Sequence, residues 1–279
     1  MSDLVETEYT HGGLVARVWL NRPEVHNALN RALADALTET MRGFGPRSPV
    51  HVVVLGGRGP SFCAGADLND MKASAPATID ENLAEATHLS HMFAAVAECP
   101  RPVVARVHGN VFGGGVGLAA ATDVSVGARD AVFAISEVRL GIVPAIISPY
   151  LLRRMGDRYA RPLILTGHRF DGQRAAEVGL LQRAVDPEAL DQTVDHVVGE
   201  LLQGSPQAQA KVKELLRLNA ENHFGEVVRL MPNRLAEARS AAEAREGFQA
   251  FFEKRKPAWA AEAEAKSGDP GGKPPAEKP

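Results

Sequence analysis

Cysteine is scarce in this chain, with two among 279 residues, Cys63 and Cys99. Two thiols cannot build a disulfide framework, so the fold must rest on a core, and a reducing compartment is expected. Long apolar runs are also missing. None approaches the roughly 20 residues that cross a membrane. The opening residues, Met1 to Glu6, are acidic. They lack both the apolar centre of a secretory signal and the arginines of a transit peptide. A soluble, cytoplasmic protein is expected. Excess positive charge is absent as well: the formal net charge is -3, which points away from nucleic acid. The chain has no G-K-[S/T], which excludes a P-loop. What is present is 45% hydrophobic residues. That is enough for one sizeable core, or one core with a small helical annex.

Along the chain, residues 14–20 alternate like a half-buried strand. Asn30 can cap a helix whose apolar face is Leu33, Leu37, Met41 and Phe44. Pro46 and Pro49 end that helix, and Val52-Val53-Val54-Leu55 reads as a strand. Thr78 can cap a second helix with Ile79, Leu83, Ala86, Leu89, Phe93 and Val96 on one face. Between them, Asn69 to Ala77 is small and polar, a stretch able to move and cover a ligand. Short strands are expected near 123–127 and 131–135. Helical patterns dominate from 158. Asp171 can cap a helix through Val178, Asp186-Pro187 can start another, and Pro206 can open a third with Ala210, Val212, Leu215 and Leu216. Residues 233–255 are again helical in pattern, and from Pro257 the Ala-Glu-Lys-Gly-Pro composition predicts disorder. Strands paired with helices first and helices alone afterwards predict an α/β core with a C-terminal helical part.

Two loops carry the chemical signal. Ser61-Phe62-Cys63-Ala64-Gly65-Ala66-Asp67-Leu68 follows the strand at 52–55, and Gly109-Asn110-Val111-Phe112-Gly113-Gly114-Gly115 follows Val103-Val104-Ala105-Arg106-Val107. Glycine and alanine let a ligand touch the main chain, and free N–H groups at a helix start attract negative charge. Two such loops meeting at one point would form a two-donor oxyanion hole, able to hold a carbonyl oxygen as it becomes an enolate. Glu137 follows the strand-like 131–135 and precedes an apolar loop. A carboxylate held against apolar groups has a raised pKa, suited to proton transfer near neutral pH. The alternative is a surface glutamate paired with Arg139.

These loops, together with Arg101-Pro102, Glu137 and Gly141-Ile142-Val143-Pro144, resemble the enoyl-CoA hydratase/isomerase (crotonase) superfamily over roughly residues 10 to 257. The resemblance implies a spiral of ββα units over residues 1–200 and a C-terminal helical trimerisation region over 201–257. The tail at 258–279 would be disordered. It implies a homotrimer or a dimer of trimers. It assigns the oxyanion donors to the N–H groups of Ala66 and Gly114, and acid/base catalysis to Glu137. It assigns coenzyme A contacts to Val25, Ala28, Ala64, Ala66, Asp67 and Leu68, and the glycine loop to Gly113. Lys254 and Lys256 could reach the phosphates. No metal is implied, and no cofactor beyond the coenzyme A carried by the substrate. Asp67 is expected to brace its loop, and His108 to orient backbone near the glycine loop.

The family's hydratases usually carry a second glutamate two residues after the glycine triplet, where this chain has Gly117. Glu137 alone would then handle both protons, and Gly117 would leave room for a branched acyl chain. Bacterial 3-methylglutaconyl-CoA hydratases and isohexenylglutaconyl relatives are similar over Phe112 to Leu118, Ser136 to Gly141 and Pro144 to Tyr150, and near Phe252 to Trp259. The expected reaction is therefore syn hydration of a branched, carboxylated enoyl-CoA, as in leucine or acyclic terpene breakdown. General enoyl-CoA hydration, isomerisation, decarboxylation and CoA binding without catalysis are the alternatives. Three other patterns stand in the sequence. Gly115-Val116-Gly117-Leu118-Ala119-Ala120 fits the dinucleotide fingerprint but sits mid-chain. His88 and His91 stand one helical turn apart but lack a third ligand. Cys63 could be a nucleophile but has no evident base, and reads as buried filler.

Overall fold

The computed structural model describes residues 4–74 and 76–268. Ten strands run in chain order: β1 (Val5–Thr10), β2 (Val15–Leu20), β3 (Val52–Gly57), β4 (Ser61–Cys63), β5 (Val103–Val107), β6 (Asn110–Phe112), β7 (Val124–Ala128), β8 (Val132–Ala134), β9 (Phe170–Asp171) and β10 (Arg183–Val185). Between and after them come α1 (Arg31–Arg42), α2 (Leu68–Ser74), α3 (Ile79–Ala97), α4 (Gly114–Ala121), α5 (Ser148–Thr166), α6 (Gly172–Glu177), α7 (Leu190–Leu202), α8 (Pro206–Glu221), α9 (Phe224–Ser240), α10 (Ala242–Phe252) and α11 (Ala258–Ala265).

The strands form two sheets, β1-β2-β3-β5-β7-β10 and β4-β6-β8-β9. A long strand in the first sheet is followed by a short one in the second, then by a helix. This repeats from β3, β5 and β7, giving the stacked ββα units that the sequence resemblance implies. The repeats stack in parallel: Val54 pairs with Val104, and Val104 with Val124. Parallel strands are covered on both faces, so they read as unbroken valine runs instead of alternating. β3 is buried at every position. One continuous core joins these sheets to α1, α3, α4, α5 and α7. Among the described residues, α8, α9 and α10 add nothing to that core.

Several local signals hold at atomic detail. The Asn30 side chain accepts the Leu33 N–H at 2.9 Å and starts α1. Thr78 and Glu81 cap α3 reciprocally. Asp171 caps α6, and Pro206 opens α8, where the structure adds a cap from Ser205.

Other expectations are corrected. On α3 only the carboxyl half keeps its apolar residues inside: Phe93 and Val96 are buried, whereas Ile79 and Leu83 are exposed. The first part of the small, polar stretch after the first loop is helical, as α2. The disorder expected from Pro257 gives way to α11, because Ala260 and Ala263 face inward and are buried. The rest of that expectation, residues 269–279, lies outside the described residues. No helix among the described residues is long and apolar enough to cross a membrane.

Candidate active site

The first loop leaves β4 and is held by main-chain bonds to the segment before α1. Ala64 N–H donates to His26 O at 2.9 Å, Leu29 N–H to Gly65 O at 2.7 Å, and Asp67 N–H to Leu29 O at 2.9 Å. Leu29 thus clamps the residues on either side of Ala66. The Ala66 N–H itself has no backbone acceptor among the described residues. His26 and Asn27 both take left-handed backbone, at φ 54° and 56°. Asn27 holds that turn by accepting from Arg22 N and donating to Arg58 O and Ser61 O. Ala28, beside it, is buried, and Val25 is half-buried in the same turn. Leu68 opens α2 and is exposed.

Asp67 braces this loop. One carboxylate oxygen accepts the Asn69 N–H at 2.9 Å, and the other pairs with Arg22 at 2.8 Å. The Asn69 N–H foremost, then the Arg22 guanidinium, hold its carboxyl below the ordinary range. Arg22 also donates to Ala28 O, so one side chain ties both predicted pantetheine-lining segments.

The second loop turns sharply at Gly113 (φ 46°, ψ -113°), where only glycine is comfortable. The Gly113 N–H bonds Ala134 O at 2.9 Å. α4 then begins at Gly114, whose N–H is one of the donors left without an intrahelical partner at a helix start. The helix dipole adds to its pull on negative charge. The two loops touch main chain to main chain. A Cβ on Gly65 would stand 2.8 Å from Phe112 O, and one on Gly115 would stand 2.1 Å from Cys63 O. No side chain could enter there without parting the loops.

Glu137 follows from strand register. Phe112 pairs with Ala134, so three residues later the chain lies beside Gly113. Gly141, in left-handed conformation, closes a short turn over Glu137–Leu140, and Ile142 N–H bonds Glu137 O at 3.2 Å. The carboxylate is directed at the glycine loop: a Cβ on Gly113 would be 3.1 Å from Oε1. Oε2 is buried and has no hydrogen-bond partner among the described residues. Burial pushes this carboxyl's pKa up, partly offset by its own backbone N–H. The pairing with Arg139 does not form; Arg139 Nε donates to Thr166 O at 3.1 Å instead.

Gly117 requires a correction. It does not open space for an acyl branch, because a Cβ there would stand 2.2 Å from Ile147 Cγ2 and 2.9 Å from Phe93 Cε1. The room is already filled with hydrocarbon. Lys254 stands in the turn after α10 with φ 54°, exposed, and among the described residues no hydrogen bond or ion pair ties it to either loop. Lys256 pairs with Glu264.

The remaining patterns resolve simply. Cys63 is fully buried, and burial pushes its thiol up to about 12, far from a nucleophile's range. His88 bonds Asp35 at 2.8 Å. His108 steadies the glycine-loop entrance by bonding Gly59 O at 2.9 Å and accepting Phe62 N–H at its backbone carbonyl. The dinucleotide fingerprint is blocked, since its first two glycines are covered by Cys63 and Ile147. Sequence reasoning missed Leu29, Phe93 and Ile147 as neighbours of α4. Their only mark is apolar character, which does not distinguish them from other core residues.

Known proteins share this fold. A model of the enoyl-CoA hydratase/isomerase family matches residues 10–262. Enoyl-CoA hydratase AKT6-1 of Alternaria alternata is 37% identical over 202 residues, which are 72% of this chain and 66% of that protein. The chain thus spans about two thirds of that relative's length. The crystal structure of an enoyl-CoA hydratase from Shewanella pealeana gives a TM-score of 0.86 at 35% identity, covering 92% of this chain and 96% of that one. Pseudomonas aeruginosa AtuE gives 0.87 at 36% identity, over 92% and 99%.

Proposed function

The chain belongs to the enoyl-CoA hydratase/isomerase family, and we propose that it hydrates a branched, carboxylated enoyl-CoA of the 3-methylglutaconyl kind. The supporting observation is the Glu137 carboxylate, with Oε2 buried and lacking a hydrogen-bond partner among the described residues and Oε1 directed at Gly113, beside the free amino end of α4. The relatives named as enoyl-CoA hydratases support the hydration chemistry. The resemblance at the glycine loop and at Pro144 to Tyr150 supports the branched substrate, which belongs to leucine or acyclic terpene breakdown.

In this mechanism the Ala66 and Gly114 N–H groups hold the thioester oxygen. Glu137 takes a proton from water as the oxygen of that water bonds to C3. The electron pair of the double bond moves onto the thioester oxygen as an enolate. The protonated Glu137 then returns the proton to C2, which gives syn addition with one carboxyl group. Coenzyme A comes with the substrate, its chain running past Val25, Ala28, Ala64 and Leu68, with Lys254 free to meet a phosphate. No further cofactor is needed for this chemistry. The assembly is a homotrimer or a dimer of trimers. The exposed Phe248, Phe251 and Phe252, beside a cavity of about 670 Å³ among α8, α9 and α10, support it.

The test is a thioester panel of crotonyl-CoA, 3-methylcrotonyl-CoA and 3-methylglutaconyl-CoA, followed by loss of enoyl absorbance and by product mass. Gain of one water, fastest on 3-methylglutaconyl-CoA, is the expected outcome. Fastest turnover of crotonyl-CoA would leave a general hydratase. Loss of CO2, or binding without change, would replace hydration by decarboxylation or plain CoA binding.

A further inference from the structure

Gly117 lies three residues after Gly114, so both sit on one side of α4. Three residues rise about 4.5 Å along a helix, the reach of a few bonds of an acyl chain. Both positions are covered by hydrocarbon. A Cβ on Gly114 would meet Leu29 Cδ1 at 2.6 Å and Phe93 Cζ at 3.7 Å, and one on Gly117 would meet Ile147 Cγ2 at 2.2 Å. Phe93 and Ile147 are buried, and the Tyr150 ring packs on Phe93 with centroids 5.8 Å apart. Ile147 arrives from outside both loops, at the N-cap position just before α5.

We propose that Ile147 is a specificity-determining residue, matched to Gly117, whose side chain sets how much substituent the acyl chain can carry near its β-carbon. This rests on the thioester reading above. The pair has two consequences. Nothing larger than glycine fits at 117 while Ile147 is present, so no second carboxylate can join Glu137 there. Shortening residue 147 enlarges the site on that side without disturbing Ala66, Gly114 or Glu137.

The test uses saturated esters, so binding is read without turnover. Butanoyl-CoA and 3-methylbutanoyl-CoA are titrated calorimetrically into the full chain and into its Ile147→Ala and Ile147→Val variants. Ile147→Ala should change the ratio of the two affinities by about tenfold, the usual worth of a methyl-sized change in an apolar pocket, and Ile147→Val by less. Gly117→Ala should lower Tm, and adding Ile147→Ala should recover most of the loss. If both Ile147 variants fold and the ratio stays within about twofold, Ile147 has no such role, while wild-type binding keeps the thioester reading intact. If Ile147→Ala fails to fold, Ile147→Val decides alone. An unchanged Tm for Gly117→Ala would dissolve the pairing. A wild type that binds neither ester would overturn both the thioester reading and this one.

Discussion

The carboxylate of Glu137 rests against the α-carbon of Gly113: a methyl group on that carbon would stand 3.1 Å from Oε1 and 3.5 Å from Cδ. The proposed acid/base group and the turn that starts α4 are thus one packed unit. Gly113→Ala would strain the backbone at φ 46° and displace the carboxylate together. The expected cost is about 1–3 kcal/mol of stability, with turnover lost more steeply than thioester binding. Chemical denaturation beside steady-state kinetics reads both.

Glu137→Gln should lower kcat by about 100- to 10,000-fold while acyl-CoA binding survives. The pH dependence has a defined sign. Burial raises this carboxyl above its ordinary 4.5, so the folded chain prefers the protonated form. The stability it contributes is complete below 4.5 and is lost as pH rises through the raised value. The glutamine variant should therefore be more stable than wild type at neutral pH and equal to it in acid. Wild-type kcat/KM should rise with pH through that same raised value, as the base ionises. Equal stability of the two proteins at neutral pH would contradict this account.

Asp67 has the opposite sign. Its carboxyl lies below the usual 3.8, held down by the Asn69 N–H and then by Arg22. Its contribution is present above 3.8 and is lost as pH falls through the lowered value. Asp67→Asn should cost about 1–3 kcal/mol at neutral pH, and the difference should shrink in strong acid. Thermal melts across pH would show it.

Thiol reagents should leave activity untouched in the folded protein. Cys63 and Cys99 are both buried, and Cys63 has a pKa of about 12. Modification should appear only with unfolding, and Cys63→Ala should hydrate at near wild-type rate.

Light scattering should give a mass three or six times 29.8 kDa. Phe251 and Phe252, exposed and packed edge to face at 5.7 Å, are the residues to change. Phe251→Glu should yield smaller species; a wild type that is already monomeric would remove the trimer proposal.

What could be read from the sequence follows from the range of the forces involved. The caps at Asn30, Thr78 and Asp171 satisfy amides three residues away, so the sequence carries them whole. The glycine loops are visible because close approach of backbone demands glycine. The exposed start of α3 and the burial of α11 are different, since each depends on what packs there, and periodicity cannot report it. The same is true of Gly117. Its vacancy was legible, but the occupant, Ile147, comes from thirty residues further along the chain. His26 and Asn27 also hide, because neither residue type advertises left-handed backbone as glycine does.

β4 and β6 are neighbouring parallel strands, with Cys63 opposite Val111, and each runs directly into one of the two glycine-bearing loops. Their spacing is that of any paired strands, about 4.8 Å. The separation of the two loops where they leave the sheet is therefore inherited from main-chain pairing, the most conservative spacing a protein has. Walls such as Ile147 can be exchanged for other acyl chains, one residue at a time, and the ruler that spaces the two loops does not move.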